Sequence, residues 1–527
     1  MNANDTQQAD FFRTRYEDMK SQAQTWQSTW KELAKYIAPT RGFFDGDRPS
    51  DGRKIDHRTL IDSDPLLAVE VLSAGMVSGL TSPSRSWFEL SLSNGQLMKQ
   101  PGVRTWLHEV RRRMEEVFAR SNVYNTLHSF YQEISVFGTA AFLLEEDMDR
   151  VLCCRAFTAG EYVLDCDGKG RINSFGREFW MTPEQMQNQF GLDALPLSVR
   201  RAAQEKRGGW FKVVHVILPN PQADERKLDV AHMPYLSAYF TPQGEMLRRG
   251  GYREFPVIAA RWEVRNSSDI YGRGPGWKAL GDVKMLQKMQ KTKLVALDKN
   301  TNPPMMVSAN VQGEVNLLPG GLTRYSGSGS DGAVKPAYQV PVDLNALEQS
   351  IERVKQTIKG QFFADVFLML SAQNFSNMTA TEVAERHQEK MLVLGPVLER
   401  LKNELLDPLI ERTFAIMLRR GVIPLPPAQI QGHDMKVQYV SMIAQAQKQS
   451  GMAALQQGIA FTSNLAQGNP QVLDKINFDA ALEEGLDMLG VPPRVLRSDE
   501  ETAQLRAQRQ QLLQAQAAEA AAKAGTQ

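Results

Sequence analysis

Residues 277–299 read WKALGDVKMLQKMQKTKLVALDK, and residues 344–363 read LNALEQSIERVKQTIKGQFF. In both segments the large apolar residues recur every three or four positions, which is the period of an amphipathic helix. Residues 301–343, between them, are rich in proline and glycine and predict turns and short strands. The pattern therefore predicts two long helices, the first about 33 Å in length, joined by a non-helical insertion.

The residues before this pair change their hydrophobic period once, from helical to strand-like. Helical periodicity covers Phe11–Ile37, Asp64–Leu80, Val103–Arg120 and Val123–Phe137. From Thr139 to Trp262 the chain contains short β-branched or aromatic runs separated by turn residues, which predict a largely antiparallel sheet. Short helical segments near residues 182–190 and 197–205 interrupt these runs. The predicted fold class is α+β and mainly helical.

After the second long helix the chain is mostly helical. Residues 365–378 contain the polar stretch SAQNFSN and predict a loop. Residues 379–420 predict a very long helix, in which Gly395-Pro396 and Pro408 should each introduce a kink. A capping pattern at Ser498 and Glu501 opens a Gln/Ala-rich tail, which is expected to be a marginal helix or disordered.

Composition excludes several classes of protein. The chain has 527 residues with 61 Lys+Arg and 60 Asp+Glu, so its net charge of +1 excludes a polybasic nucleic-acid coat. No apolar run approaches the roughly 20 residues that a membrane helix needs, and the first ten residues lack the features of a signal peptide. We therefore expect a soluble intracellular protein without a membrane partner. The three cysteines and scattered histidines predict neither a disulfide framework nor a metal site.

The glycine-rich motifs do not predict a cofactor site. Gly327, Gly329 and Gly332 match GxGxxG, but the following AVKP cannot open the helix that would hold a pyrophosphate. As a P-loop, the same segment would need Lys and Ser/Thr where residues 333–334 are Ala-Val. The glycines of the YGRGPG stretch, residues 271–276, indicate a turn rather than a phosphate cradle. We predict no catalytic residue and no cofactor.

The first long helix carries the one local charge excess above background. Six lysines stand against Asp282 and Asp298. Such an excess favours contact with nucleic acid or with acidic residues of a neighbouring subunit, and a solvated surface is the alternative. The candidate basic residues are Lys284, Lys288, Lys291, Lys293 and Lys299.

Four stretches together resemble the portal, or head-to-tail connector, family of short-tailed, podovirus-type bacteriophages. They are WKELAKYIAP at residues 30–39, SAGMVSGLTSPSRSWFEL at 73–90, YGRGPG at 271–276 and MTATEV at 378–383. The resemblance implies a ring, a dodecamer in this family, with a central channel. Its implied segments are a wing (1–276), a first stem helix (277–300), a clip (301–343), a second stem helix (344–363), a tunnel loop (364–378), a kinked wing helix (379–420), a crown (421–497) and a C-terminal tail (498–527).

The resemblance also implies the function. The ring would be a non-enzymatic DNA conduit at one capsid vertex of the virion, assembled in the host cytoplasm. It would serve genome packaging, head–tail joining and DNA ejection. The implied partners are double-stranded DNA, the terminase large subunit, tail adaptor proteins, and major capsid and scaffold proteins. A polar tunnel loop whose only charged residue is Asp365 suits sliding DNA because it does not hold phosphates tightly. The implied channel residues are Ser371, Gln373, Asn374, Ser376 and Asn377.

Two alternative functions belong to other classes of protein. Another phage structural protein, such as a tail adaptor or scaffold component, would need no pair of channel helices around a Pro/Gly-rich insertion. An enzyme with an unfamiliar site would need perturbed carboxylates or histidines gathered in one pocket, which the spacing of these residues does not indicate.

Overall fold

The structure of the chain is a computed structural model. It describes residues 3–44, 59–92, 97, 101–224, 226–227, 229–266, 268–307, 309, 311–312, 314–316, 324–325, 334–337, 343–365, 367, 394–430, 435–439, 455–466, 470–488 and 499–524.

Helices account for most of the described chain. In chain order they are α1 (Ala3–Tyr36), α2 (Asp64–Leu80), α3 (Pro101–Arg120), α4 (Val123–Phe137), α5 (Pro183–Phe190), α6 (Leu197–Gln204), α7 (Pro275–Thr301), α8 (Leu344–Gln361), α9 (Asp407–Arg419), α10 (455–466), α11 (Phe478–Met488) and α12 (Asp499–Ala524). No helix in the described part of the chain is both long enough and apolar enough to cross a bilayer.

The strands form small antiparallel sheets. In chain order they are β1 (Phe88–Leu92), β2 (Thr139–Asp147), β3 (Val151–Ala156), β4 (Tyr162–Cys166), β5 (Ile172–Met181), β6 (Phe211–Pro219), β7 (Tyr235–Phe240), β8 (Met246–Tyr252), β9 (Val257–Arg261), β10 (Met305–Val307), β11 (Val311–Gln312), β12 (Arg324–Tyr325), β13 (Val334–Pro336) and β14 (Met435–Tyr439). The predicted α+β, mainly helical class is confirmed.

The chain divides into two compact units that interleave along the sequence. The first unit comprises Met1–Ala74, Phe130–Ala141 and Phe157–Asn374. The second comprises Gly75–Ser129, Phe142–Ala156 and Phe375–Gln527.

The first unit is built on a five-stranded antiparallel sheet with the order β4-β5-β6-β7-β8. Helix α1 lies on this sheet through its predicted apolar stripe, and Phe12, Tyr16 and Met19 are buried. The approach is close, since a Cβ atom at Gly176 in β5 would lie 2.8 Å from the Tyr16 ring. Salt bridges from Arg15 and Lys20 to carboxylates of β4 and β5 flank the contact. The N-terminal helix therefore covers one face of the sheet.

Part of the same sheet packs on α5 and α6 through a second apolar cluster. It consists of Met181, Met186, Leu195, Val199, Val213, Tyr239 and Leu247. Thr182 caps α5 in a capping box with Gln185. These two short helices were predicted; strands β5 and β8 were not, because glycines and polar residues interrupt their apolar alternation.

In the second unit, α9 lies along the β2–β3 hairpin. Arg412 is buried and donates from Nε to the carbonyl oxygen of Leu144 at 3.0 Å, which satisfies a strand carbonyl. Strand β14 pairs with β1 in antiparallel register from Phe88 opposite Tyr439 to Leu92 opposite Met435. A strand from the range predicted as the crown thus pairs with one from the range predicted as the wing.

The long helix predicted over residues 379–420 is described from residue 394 onward. Helical structure continues past Pro396, and a π-helical turn spans Lys402–Leu406 immediately before α9. Pro408 cannot donate a backbone hydrogen bond, and a widened turn next to it accommodates the lost ladder bond. Near the C-terminus, Asp499–Ala524 form a helix, α12, whose described side chains are largely exposed.

Candidate functional site

Helices α7 and α8 form an antiparallel pair, which we call the helix pair. Gln361 near the end of α8 donates to Asp282 near the start of α7 at 2.6 Å, and Lys293 toward the end of α7 pairs with Glu348 near the start of α8 at 3.0 Å. Asp343 caps α8 by accepting from the amides of residues 345 and 346. The two helices predicted from residues 277–299 and 344–363 are therefore present and lie side by side.

The glycine-rich turn before α7 anchors the helix pair to the end of α4. A Cβ atom at Gly274 would lie 2.6 Å from the carbonyl oxygen of Ile134, and one at Gly276 would lie 2.5 Å from that of Val136. Glycine is required at both positions because the backbone before and at the start of α7 packs directly on the backbone at the end of α4, which leaves no room for a Cβ atom. Backbone atoms of the chain itself occupy the space beside both glycines.

An aromatic cluster fixes the same turn to α1. Trp30 lies edge-on to Tyr271 with ring centroids 5.0 Å apart, and Trp26 lies edge-on to Trp277 at 5.4 Å. The Arg273 guanidinium sits 4.9 Å from the Trp26 ring and 5.9 Å from the Trp277 ring, within the range of a cation–π contact. The first turn of α7 is thereby held by side chains as well as by backbone packing.

A polar cluster, the Asp62 cluster, in which Asp62 and Gln287 are buried, joins the start of α2 to both helices of the pair. Lys355 of α8 lies 2.8 Å from an Asp62 carboxylate oxygen and 3.2 Å from one of Asp64. From α7, Gln290 donates to Asp62 at 2.6 Å, and Gln287 donates to the Asp62 carbonyl at 2.8 Å. One short segment thus contacts both helices through charge-assisted hydrogen bonds.

The electrostatics of this cluster keep it ionised. Burial alone would raise the pKa of Asp62, but hydrogen bonds from Lys355, from the Asp64 amide and from Gln290 lower that pKa below its ordinary value. Burial would lower the pKa of Lys355, and its hydrogen bonds to Asp62 and Asp64 raise it instead. The Lys355 ammonium and the Asp62 carboxylate therefore remain charged together at neutral pH, and each depends on the other.

The five candidate lysines of α7 have different surroundings. Lys284 pairs with Glu32 at 2.9 Å and Lys293 with Glu348, so both are engaged within the chain. Lys299 is exposed near the end of α7. Lys288 and Lys291 are exposed on one side of the helix, and neither forms an ion pair with a carboxylate among the described residues. These last two lysines are the available cations of the predicted set.

Beyond the Asp62 cluster, α7 exposes large apolar side chains. Leu294 is 53% exposed, Val295 46% and Leu297 37%. Leu294 and Leu297 are among the apolar residues from whose spacing this helix was predicted.

Several sequence candidates lie outside the described residues. These are the tunnel-loop residues Ser371, Gln373, Asn374, Ser376 and Asn377, and the GxGxxG glycines at 327, 329 and 332. Among the residues that the structure describes, no group of three or more His, Cys, Asp or Glu side chains is placed to hold a metal ion.

The Asp62 cluster was missed by sequence reasoning. Asp62 and Asp64 read as ordinary residues at the start of a helix, and Lys355 reads as part of a solvated helix face. Their meeting depends on chain segments far apart in sequence, and no local spacing indicates it. The two glutamines on α7, one turn apart, were the only local signal that this face is polar and covered.

Comparisons with known proteins agree on one family. The pattern of the family described as bacteriophage head to tail connecting protein matches residues 9–496. The probable portal protein of Bordetella phage BPP-1 is 39% identical over 97% of this chain and 94% of its own. The portal protein of Salmonella phage epsilon15 is 40% identical over 96% of this chain and 91% of its own.

Two solved structures are similar at lower levels. One is the neck of an empty GTA particle computed with C6 symmetry, with a TM-score of 0.39 and 9% identity over 75% of this chain and 86% of that chain. The other is the neck of a native GTA particle computed with C12 symmetry, with a TM-score of 0.35 and 11% identity over 80% of this chain and 94% of that chain.

Proposed function

Because the chain belongs to the bacteriophage head to tail connecting protein family, we propose that it forms the portal ring at one capsid vertex of a phage virion. The ring is the conduit for genome packaging, head–tail joining and DNA ejection. The observation that carries the proposal is the family match over residues 9–496, which spans the anchored helix pair. The chain is a structural protein and not an enzyme.

The helix pair is the stem of this ring. In the proposed assignment, the wing is residues 1–276, the stem helices are 277–300 and 344–363, the clip between them is 301–343, and the tunnel loop is 364–378. The kinked wing helix is 379–420, the crown 421–497 and the tail 498–527. The backbone packing at Gly274 and Gly276 and the Asp62 cluster support this role, since a stem must be held rigidly at its base.

The exposed side of α7 supports assembly into a ring, for which we propose twelve copies. Burying an apolar side chain against a neighbour contributes roughly 1.5–3 kcal/mol, and Leu294, Val295 and Leu297 offer three such side chains on one short segment. Lys288 and Lys291 are free to face either the DNA in the channel or acidic residues of the adjacent copy. A solvent-facing helix in a monomer would gain nothing from this apolar exposure.

The proposed role as a DNA conduit implies which partners the protein binds. Double-stranded DNA passes through the channel, the terminase large subunit docks during packaging, and tail adaptor proteins dock afterwards. Major capsid and scaffold proteins surround the ring, which assembles in the host cytoplasm before it becomes part of the virion. ATP hydrolysis belongs to the packaging motor, consistent with a sequence that predicts no P-loop.

The proposal is tested through the tunnel loop. Deleting residues 371–377 is expected to leave rings assembled while impairing packaging or retention of full-length DNA, because these polar side chains line the narrowest part of the channel. Ring assembly is checked by electron microscopy and packaging by the DNA content of purified particles. Normal packaging of the full genome by the deletion variant contradicts this assignment of the loop.

A further inference from the structure

A cleft of about 530 Å³ opens in the second unit, and none of its lining residues belongs to the helix pair. Its walls are formed by the end of α3, the turn between β2 and β3 with the first residue of β3, and Val422, three residues beyond the end of α9. Its charged lining consists of Arg112, Arg113, Arg120, Glu116, Asp149 and Arg150. The lining thus contains four guanidinium groups and two carboxylates, in a chain that is almost neutral overall.

Two of the four arginines are engaged and two are available. Arg112 binds Glu109 through two hydrogen bonds of 3.0 and 2.8 Å, and Arg113 binds the same carboxylate at 2.7 Å. Hydrogen bonds from Arg112 and then Arg113 lower the pKa of Glu109 to about 2, so it remains ionised. Arg120 and Arg150 are exposed and form no ion pair with any carboxylate in the described chain.

The turn that carries Arg150 is held in an unusual backbone conformation. Val151 has φ +71°, a left-handed value that a β-branched residue rarely adopts. The Asp147 carboxylate accepts from the amides of Asp149 and Arg150 at 3.0 and 2.7 Å, and Arg420 of the neighbouring helix end donates to the Met148 carbonyl at 3.1 Å. Strain of this kind persists where the surroundings fix it, often beside binding sites.

The apolar part of the lining restricts what kind of ligand fits. Val117, Val151 and Val422 contribute the remaining surface. A DNA backbone offers only phosphates at regular spacing, and it would meet Glu116 and Asp149 as well as the arginines. A peptide can instead place a carboxylate against Arg120 and Arg150 and an aliphatic side chain against the valines, since guanidinium forks bind carboxylates in bidentate fashion.

From this geometry we propose that the cleft binds a short segment of a partner protein in which an acidic residue adjoins an apolar one. The volume suits two or three side chains, within the range of ordinary ligand pockets. The proposal is independent of the channel function, because the cleft lies in the second unit and shares no residue with the helix pair.

The test measures binding of a fluorescein-labelled ELDLE peptide to the full-length protein by anisotropy, with a QLNLQ peptide as the uncharged control. The acidic peptide should bind at least about tenfold more tightly, a difference of about 1.4 kcal/mol, and its affinity should fall as salt is raised. Replacing Arg120→Gln together with Arg150→Gln should weaken binding about tenfold or more. Both side chains are exposed, so folding should be unaffected, as checked by circular dichroism.

Two further variants make the result specific. Arg155→Gln removes an exposed arginine of the same hairpin that does not line the cleft, and binding should be unchanged. Glu116→Gln removes a carboxylate from the lining and should tighten binding. Equal binding of the two peptides, or unchanged affinity in the double variant, overturns the proposal. A 20-base-pair duplex that binds more tightly than the peptide, with the same dependence on Arg120 and Arg150, would assign the cleft to nucleic acid instead.

Discussion

Replacing Lys355→Met should loosen the base of the helix pair. The substitution keeps the aliphatic stem and removes the ammonium that lies 2.8 Å from Asp62, whose side chain is only 7% exposed. Removing one partner of a buried ion pair costs about 3–5 kcal/mol because the other charge is left uncompensated. Asp62 keeps its hydrogen bonds to Gln290 and to the Asp64 amide, so we expect the lower end, about 3 kcal/mol.

The companion variant Asp62→Asn should cost less, since Lys355 still pairs with Asp64 at 3.2 Å. The double variant should be less destabilised than the sum of the two single variants, with a coupling of about 1–2 kcal/mol between these contacting residues. A difference of this size distinguishes an ion pair from two independent polar contacts.

The cost of Lys355→Met should also depend on pH. The pKa of Asp62 is lowered in the native protein, so its stabilisation is complete above the ordinary carboxyl pKa of about 4 and is lost as pH falls through the native value. Without Lys355, burial raises the pKa of Asp62, and protonation of Asp62 removes the uncompensated buried charge from the variant. The stability difference between the two proteins should therefore be largest at neutral pH and shrink below about pH 4.

Hydrogen exchange of α7 and α8, followed by mass spectrometry, measures the effect locally. About 3 kcal/mol corresponds to exchange of the protected amides roughly 100-fold faster. Lys288→Met on the exposed side of α7 is the matched control and should change stability by less than about 0.5 kcal/mol. Equal exchange in the Lys355→Met variant and the native protein would refute the reasoning that the Asp62 cluster holds the helix pair.

Two further substitutions test the packing of the first unit. Gly276→Ala should destabilise the protein by about 2 kcal/mol, since the new Cβ atom would lie 2.5 Å from the Val136 carbonyl oxygen. Gly281→Ala on the same helix, where the Cβ atom meets no other atom, should stabilise the protein by up to about 1 kcal/mol. Melting temperatures that shift in the same direction for both variants would contradict this expectation. Arg41→Met removes the guanidinium that lies 2.9 Å from the buried Glu133 carboxylate and should lower the free energy of unfolding by about 3 kcal/mol or more. Glu133→Gln removes the buried charge itself and should lower it by less. A larger loss of unfolding free energy for Glu133→Gln, measured by denaturant unfolding, would count against an explanation based on charge.

The helices were the part of the fold most open to prediction from sequence. The helix predicted over Trp277–Lys299 is observed over Pro275–Thr301, and the helix predicted over Val123–Phe137 is observed with the same bounds. Their apolar residues repeat at the helical period over several turns, which is a strong local signal. Helix α1 begins earlier than predicted, because its first turns are polar and have no apolar stripe to mark them.

Strands β1 and β14 show why the rest could not be predicted. Each has only five residues, and the two pair across more than three hundred positions of sequence. Strand pairing of this kind depends on the packing of the whole unit rather than on local propensity. Strand β8, MLRRGGY, has no apolar alternation at all and forms because β7 offers it an edge.

The candidate site, too, was predictable from sequence only in part. The charge excess of α7 was visible in sequence, but which lysines are available was not, because Glu32 and Glu348 reach Lys284 and Lys293 from other elements. The Asp62 cluster needs three separate chain segments to meet. Contacts between distant segments are specified by the fold, and a single sequence carries no spacing that encodes them.

Electron microscopy of the purified full-length protein, with class averages viewed down the particle axis, tests the portal assignment most directly. A portal protein is expected to form rings with a central hole and about twelve-fold symmetry, in which α7 and α8 surround the hole. Monomers or dimers without a hole, under conditions where the chain is folded, would contradict it.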